Sequence, residues 1–310
     1  MPKLAIVTYL RGRERLTPEL IEIGNALQQH YPDLIMELYV DSLAQAHAQN
    51  ADFTIHVNYL QGTKFLKLLN SLTRSDSDYL LSLDNDIAAN LGGLLRLVDQ
   101  TIVGEYDLGW GLVLSHRVSN FISRLVEIDK LFSHTLLRPA LWRLRLGITI
   151  PGQCFLLKTK SFRNSLPSTD TFLDDLSIGL HAVRTRLHYH YAREVVAFEL
   201  PSYTFMALWK QRARWAAGFN QCLSCDNLEE GDRRLLWIHA FFYHMLPILQ
   251  VVALVALIPL APLVCVGWLA MMSALTVRDR PSAIGMAFLY FLLFPAFHLG
   301  WWYHYLRANL

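Results

Sequence analysis

The sequence predicts an α/β fold with a mainly parallel sheet, followed by a C-terminal region of transmembrane helices. Short apolar runs alternate with helical patterns over the first 220 residues, an order typical of a mainly parallel sheet. Residues 1–235 hold 25 of the 28 Lys and Arg residues and 25 of the 26 Asp and Glu residues. The charged residues after position 235 are Arg278, Asp279, Arg280 and Arg307. The chain therefore reads as a soluble block followed by an apolar tail.

The soluble block begins with a strand and a helix whose start is well marked. Thr17 is the expected N-cap, because Pro18 then takes the first helical position. The expected strands are 4–9, 34–40, 53–57 and 79–83, and the expected helices are 17–30 and 64–72. In such sheets ligands bind beyond the carboxyl ends of the strands. Asp41 and Asp84 each follow a strand, so we expect both on the binding side.

The tail is long enough to cross a membrane more than once. Residues 235–277 carry no charge, nor do residues 281–306, and one spanning helix needs about 20 apolar residues. We expect about three spans, at 235–258, 262–277 and 282–305, and a re-entrant segment is the alternative for the short middle one. Arg233, Arg234, Arg278 and Arg280 would then share one side, and the positive-inside tendency makes that side cytoplasmic. Buried helices of a soluble core are the alternative.

Composition excludes two further classes of protein. Hydrophobic residues make up 53% of the chain and charged residues 17%, which excludes a disordered chain. The formal net charge of +2 does not indicate binding to nucleic acid. We therefore expect a soluble domain at 1–220, a linker at 221–234 and a transmembrane region at 235–310. The protein would be a multi-pass integral membrane protein in contact with membrane lipids, in the plasma membrane if bacterial.

The first motif that carries chemistry is the triplet Asp84-Asn85-Asp86. Two carboxylates that flank one residue just after a buried strand are able to hold Mg²⁺ or Mn²⁺, with positions left open for phosphates. By itself such a triplet is more often a solvated turn or a helix cap.

Two further motifs follow downstream. Asp174-Asp175 opens a helical stretch, where acidic residues also compensate the helix dipole. Gln211-Arg212-Ala213-Arg214-Trp215 combines guanidinium groups suited to phosphate with an indole suited to stacking on a ring. A basic amphipathic segment on a membrane surface is the alternative for the last motif.

The order of these motifs resembles the family 2 glycosyltransferases of the GT-A fold. The resemblance is to the membrane-bound branch, which includes cellulose, chitin and hyaluronan synthases and ceramide glucosyltransferase. It covers roughly residues 1–220, and the tail is similar in kind. The Asp-x-Asp triplet is unspecific, whereas an acidic pair followed by Gln-x-x-Arg-Trp is specific.

The resemblance implies roles for individual residues. Thr8 and Asp41 would contact the nucleotide base, and Lys64 would lie near the diphosphate. Asp84 and Asp86 would bind the diphosphate through Mg²⁺ or Mn²⁺. Asp175 would be the general base. The last group, placed over the diphosphate and the acceptor, comprises Gln211, Arg214 and Trp215.

These roles imply a membrane-anchored, inverting transfer from a nucleotide-diphosphate sugar, with a UDP sugar expected. The acceptor would be lipid-linked or a saccharide, and the bond formed a β-glycoside. The chain departs from the family pattern in having Asp174 where Glu is usual and Ser42 after Asp41. The alternative is a catalytically silent subunit that binds nucleotide sugar or supports a membrane polysaccharide assembly.

Overall fold

The computed structural model describes residues 2–12, 14–41, 51–166, 173–225 and 228–309. The chain forms two compact units, each built from two separate segments. The first unit comprises Met1–His116 and Thr149–Leu200, and the second comprises Arg117–Ile148 and Pro201–Leu310. The expected division into a soluble domain at 1–220, a linker at 221–234 and a transmembrane region at 235–310 stays a prediction.

The first unit is built on an eight-stranded mixed sheet. The strands are β1 (Leu4–Leu10), β2 (Ile35–Val40), β3 (Thr54–Tyr59), β4 (Tyr79–Leu83), β5 (Ala88–Ala89), β6 (Leu108–Ser115), β7 (Cys154–Lys158) and β8 (Tyr189–Glu199). Their order is β3-β2-β1-β4-β7-β6-β8-β5. The pairs β1–β2, β2–β3, β1–β4 and β6–β8 are parallel, whereas β7 runs antiparallel to both of its neighbours. The α/β prediction is confirmed, with β7 and the short β5, which is antiparallel to β8, as the exceptions to a parallel sheet.

In the described part of this unit, the helices that accompany the sheet are α1 (Pro18–His30), α2 (Lys64–Arg74), α3 (Leu91–Val103), α6 (Thr159–Phe162) and α7 (Asp174–Arg184). Helix α1 begins where predicted, with Thr17 as N-cap and Pro18 at the first position. Its buried face is Leu20, Ile23, Gly24 and Leu27, which have helical spacing. This face belongs to a core that also contains strands β1, β2 and β4.

The register of the sheet brings the ends of several strands to one edge. Leu10 pairs with Val40, so the parallel strands β1 and β2 end side by side. Strand β4 lies on the other side of β1, and Leu83 at its end pairs with Cys154 at the start of β7. Asp41, the triplet and the segment before Cys154 therefore lie at the same edge, as predicted for Asp41 and Asp84.

The second unit is helical. Its helices are α4 (Phe121–Phe132), α5 (Arg138–Arg143), α8 (Phe205–Leu223), α9 (Glu230–Ala240), α10 (Leu246–Leu257), α11 (Pro262–Thr276), α12 (Ile284–Leu293) and α13 (Pro295–Asn309). Helix α8 is capped by Thr204, whose hydroxyl oxygen accepts the Ala207 N–H at 3.1 Å. π-helical turns at Ser133–Leu137 and Phe241–Met245 connect α4 to α5 and α9 to α10.

Among the residues that the structure describes, two stretches of this unit are long and apolar enough to cross a membrane. They are Glu230–Leu257 and Pro281–Asn309, whose most apolar 18-residue segments have mean hydropathies of 2.0 and 1.7. The expected middle span corresponds to α11, which has only 15 residues. At 1.5 Å per residue α11 is about 22 Å long, shorter than the ~30 Å hydrocarbon layer.

Candidate active site

The triplet is held in place by its middle residue. Asn85 is 9% exposed, and its Oδ1 accepts the Thr17 N–H at 3.0 Å while its Nδ2 donates to the Arg15 carbonyl at 2.9 Å. The Thr17 hydroxyl donates to the Asn85 carbonyl at 3.0 Å instead of capping α1. The Asp84 N–H donates to the Gln153 carbonyl at 3.0 Å. The backbone that carries both carboxylates is thus fixed from two sides.

The ammonium group of Lys64 joins the triplet to the acidic pair. It lies 2.7 Å from Asp84 Oδ1 and 3.2 Å from Asp174 Oδ2, and it donates to the Gly152 carbonyl. The Lys64 side chain is only 10% exposed. Burial alone would lower the pKa of Lys64, but the charges of Asp174 and Asp84 outweigh it and raise the pKa above the usual value. Lys64 is therefore a fixed positive charge.

The two residues of the acidic pair lie in different environments. Asp174 is the first residue of α7 and is 8% exposed. Burial raises the pKa of the Asp174 carboxyl, and the Lys64 charge opposes that shift. Asp175 is half-buried beside Gly152, where an added Cβ would lie 3.5 Å from the Asp175 Cβ. Of the acidic pair, Asp174 is thus the more buried residue, and it forms the ion pair with Lys64.

Asp41 forms an ion pair that the sequence did not indicate. Its Oδ1 lies 2.5 Å from Nζ of Lys67, which is 1% exposed. Lys67 follows Lys64 by three positions on α2, so both side chains project from the same face of that helix. One helix face therefore contacts Asp41 at the end of β2 and Asp84 at the end of β4. The three-residue spacing of the two lysines indicates their shared helix face but not the carboxylates that they contact.

Thr8 is completely buried within β1. Its hydroxyl has no hydrogen-bond partner among the residues that the structure describes. The next residue, Tyr9, has its hydroxyl 3.3 Å from Ser82 Oγ. The proposed contact between Thr8 and a nucleotide base remains a prediction.

Metal binding at the triplet is consistent with its electrostatics. Partial desolvation and the neighbouring Asp84 charge raise the pKa of the Asp86 carboxyl, although its side chain reaches solvent. A divalent cation would relieve this repulsion between carboxylates. Within the described ranges no group of three or more His, Cys, Asp or Glu residues is arranged to hold a metal ion. Such an ion would thus need phosphate or water oxygens to complete its coordination.

The remaining predicted residues lie on α8 in the second unit. Arg214 is exposed, and Gln211 and Trp215 are half-buried. Arg212 is 2% exposed and its Nη2 lies 3.2 Å from Asp129 Oδ2. Its guanidinium also lies over the Trp215 ring, 4.3 Å from the centroid. The interpretation of two phosphate-binding guanidinium groups in this motif is therefore corrected, because only Arg214 reaches solvent.

Comparison with known proteins identifies the family to which this protein belongs. A sequence model described as glycosyl transferase family group 2 matches residues 81–303, from within β4 into the tail. Because this match covers most of the chain, the protein belongs to that family and is a glycosyltransferase. No curated protein sequence matches the chain.

Solved structures show the same fold. The chain is similar to a mannosyltransferase from Pyrobaculum calidifontis in complex with GDP-Man and Mn²⁺, at 14% identity and a TM-score of 0.57, over 100% of this chain and 88% of that one. It is also similar to glucosyl-3-phosphoglycerate synthase from Mycobacterium tuberculosis in complex with Mn²⁺, UDP-glucose and phosphoglyceric acid, at 17% identity and a TM-score of 0.49, over 73% and 81% of the two chains. The first of these likenesses confirms the GT-A fold.

Proposed function

We propose that this glycosyltransferase moves a sugar from a nucleotide-diphosphate donor to a lipid-linked or carbohydrate acceptor, with inversion at the anomeric carbon. An α-linked donor would then give a β-glycoside. The observation that carries the proposal is the Lys64 ammonium group between Asp84 and Asp174. This ammonium group connects Asp84 of the candidate metal site to Asp174, the neighbour of the candidate base Asp175.

The binding of the donor follows from the charges at this edge of the sheet. Asp84 and Asp86 would hold Mg²⁺ or Mn²⁺, and the Pyrobaculum calidifontis mannosyltransferase was solved with Mn²⁺ and a nucleotide sugar. Such an ion would offset the negative charge that develops on the leaving diphosphate. Lys64 contributes a second positive charge at the triplet. Asp41, oriented by Lys67, would accept hydrogen bonds from the nucleoside.

Transfer itself requires a base and groups that bind phosphate. Asp175 would accept the proton of the acceptor hydroxyl as that oxygen bonds to the anomeric carbon and the diphosphate leaves. Arg214, exposed on α8, has the paired donors that suit a diphosphate. Gln211 and Trp215 flank it on the same helix and would contact the diphosphate and the acceptor.

Membrane association is the second part of the proposal. The stretch Glu230–Leu257 contains a strongly apolar 18-residue segment, and only 17% of that segment is buried within the protein. Such an apolar surface is typical of contact with lipid. It favours an acceptor at or in the membrane.

A donor screen tests the catalytic part. Full-length protein in lipid nanodiscs is mixed with Mn²⁺ and either UDP sugars or GDP sugars, and the released nucleotide diphosphate is measured. We expect release from one donor class, with a UDP sugar as the first candidate and GDP-mannose as the second. An Asp86→Asn preparation is the matched control. Binding of a donor without turnover of any would instead favour the silent subunit.

A further inference from the structure

The tail contains an apolar hairpin, defined here as α10, the turn at 258–261 and α11. The Sγ of Cys265 lies 4.0 Å from the Leu254 carbonyl, so the two helices are in contact. Within the hairpin, large apolar side chains are most exposed in the turn and at the start of α11, where Leu260 is 82% exposed and Leu263 is 84% exposed. No charged residue lies between 235 and 277. The hairpin is thus an apolar projection with its most exposed side chains at the tip.

The residues just before the hairpin, from α9 to the π-helical turn, pack against α13 and do not project from the second unit. His244 stacks on Trp301 of α13, with ring centroids 4.2 Å apart and planes at 8°. Trp237 of α9 stacks on Trp302 at 6.5 Å. One face of Glu230–Leu257 up to residue 244 is therefore packed against α13. The part beyond it is α10, whose 12 residues extend about 18 Å.

The other long apolar stretch, Pro281–Asn309, contacts polar groups near its start and its middle. Just before it, Arg280 Nη1 donates to Glu127 Oε1 at 2.6 Å. Near its middle, the Tyr290 hydroxyl donates to Asp129 Oδ1 at 2.8 Å, and Asp129 is the ion-pair partner of Arg212. Glu127 and Asp129 both belong to α4.

The same stretch also has a polar contact at its end. Asn309 Nδ2 donates to Asn220 Oδ1 of α8 at 3.1 Å. Between Tyr290 and Asn309, aromatic residues of α13 pack along α8, with the Phe219 and Trp301 centroids 5.2 Å apart. Helix α8 also carries Lys210 and Arg214, both exposed.

These contacts are incompatible with a helix that crosses the hydrocarbon layer. Tyr290 follows Arg280 by ten residues, or about 15 Å of helix, which is half of the ~30 Å layer. If Arg280 lay at one surface, the Asp129–Arg212 ion pair would lie near the centre of the membrane. Helices α4 and α8, with their exposed charges, would have to lie there as well. Charged side chains are rare and costly at that depth.

We propose that the tail enters the membrane from one side only. The apolar hairpin is embedded in lipid and turns back within it, while Pro281–Asn309 stays at the membrane surface against α4 and α8. The C-terminus then lies on the same side of the membrane as α4. This topology replaces the three-span expectation and keeps its re-entrant middle segment. It rests on the membrane association proposed above.

Single-cysteine labelling tests this topology. The four native cysteines are replaced by alanine, and one cysteine is introduced by Arg124→Cys, Asp279→Cys, Leu260→Cys or Arg307→Cys. Sealed membrane vesicles of both orientations are treated with a membrane-impermeant maleimide, before and after detergent. We expect Arg124→Cys, Asp279→Cys and Arg307→Cys to label from one and the same side. Leu260→Cys should label only in detergent.

Each alternative topology gives a different pattern. With three spans, Leu260→Cys and Arg307→Cys would label from the side opposite to Arg124→Cys. With two spans, Leu260→Cys and Asp279→Cys would do so. Either pattern overturns the proposal. Leu263→Cys repeats the tip measurement if Leu260→Cys does not accumulate. Labelling requires no transferase activity, so its result is independent of the proposed reaction, and loss of the whole protein from the membrane would defeat the association itself.

Discussion

Nζ of Lys64 lies 2.7 Å from Oδ1 of Asp84, and this contact fixes the triplet to the first turn of α2. Asp174 shares the same ammonium group at 3.2 Å. Two carboxylates that would repel each other are therefore held together by one buried cation. Removal of that cation leaves both charges without their partner.

Lys64→Met should lower the stability of the protein. Breaking a buried ion pair costs about 3–5 kcal/mol, and we expect the lower end because the Asp84 side chain is 30% exposed. A loss of about 3 kcal/mol corresponds to a fall of roughly 6–12 °C in the melting temperature of a domain of this size. Thermal unfolding of the purified protein measures this fall.

Two comparisons show whether the loss comes from the uncompensated charge. The double variant Lys64→Met with Asp174→Asn should recover part of the stability, because one carboxylate is then neutral. Arg96→Met removes the positive charge from the ion pair of Arg96 and Glu194, in which the two side chains are 56% and 45% exposed. Because this pair is at the surface, the change should alter stability by less than about 1 kcal/mol. Equal losses in Lys64→Met and Arg96→Met would contradict the assignment.

Removal of the metal should abolish transfer. We expect a chelator to stop turnover and Mn²⁺ or Mg²⁺ to restore it. Asp86→Asn should weaken Mn²⁺ binding by at least about 10-fold, since even groups that only support a metal ligand typically contribute that much. Titration of Mn²⁺ followed by electron paramagnetic resonance, with nucleotide diphosphate present, measures the affinity. Unchanged turnover in Asp86→Asn would show that the triplet is only a turn and does not bind the metal.

Asn85→Ala should weaken metal binding although Asn85 is not a proposed ligand. The variant loses the hydrogen bonds to Thr17 and Arg15 that fix the triplet. Partners that orient metal ligands typically contribute ~10–100-fold to affinity, and we expect about 10-fold. The same Mn²⁺ titration measures it. Asn90→Ala is the control, because it removes a similar bond, to the Gly93 N–H at the start of α3. It should lower stability without changing Mn²⁺ affinity; a similar loss of affinity in both variants would show a general effect of destabilisation.

The sequence predicted the features that local patterns encode. Strands β1, β2 and β4 are apolar runs, α1 has a marked start, and the acidic residues follow strand ends, so the elements and the edge that carries Asp41 and Asp84 were accessible. The order of the motifs was sufficient to indicate the family.

Contacts between distant positions were not predictable in this way. Lys67 and Asp41 are 26 residues apart, Asn85 and Thr17 are 68 apart, and Arg212 and Asp129 are 83 apart. No local periodicity reports such pairs. The second unit is also built from two separate segments, and the acidic residues of α4 contact α8 and the tail, which lie far along the chain.

The protein should remain in the membrane pellet after an alkaline carbonate wash. The hairpin has no charge that could favour its release into water, and its tip is more than four-fifths exposed at Leu260 and Leu263. Immunoblotting of pellet and supernatant measures the distribution. Leu260→Asp combined with Leu263→Asp should shift a substantial fraction to the supernatant, since an acidic residue within hydrocarbon costs about 2.5–3.5 kcal/mol. Release of the unmodified full-length chain would defeat the membrane assignment.

The last prediction concerns the two residues of the acidic pair. Both lie in the first turn of α7, where compensation of the helix dipole would treat them alike, at about 0.3–1 kcal/mol of stability each. Their environments differ, because Asp174 is buried and paired with Lys64 while Asp175 is half-buried beside Gly152. Asp174→Asn should therefore act mainly on stability and on the position of Lys64. Asp175→Asn should fold, enter the membrane and bind donor, while transfer falls by ~10²–10⁴-fold, as is typical when a general base is lost. Transfer rate and donor affinity, measured side by side for both variants, decide the matter. If Asp175→Asn transfers at a near-normal rate, or loses donor affinity as severely as transfer, then Asp175 is not the base.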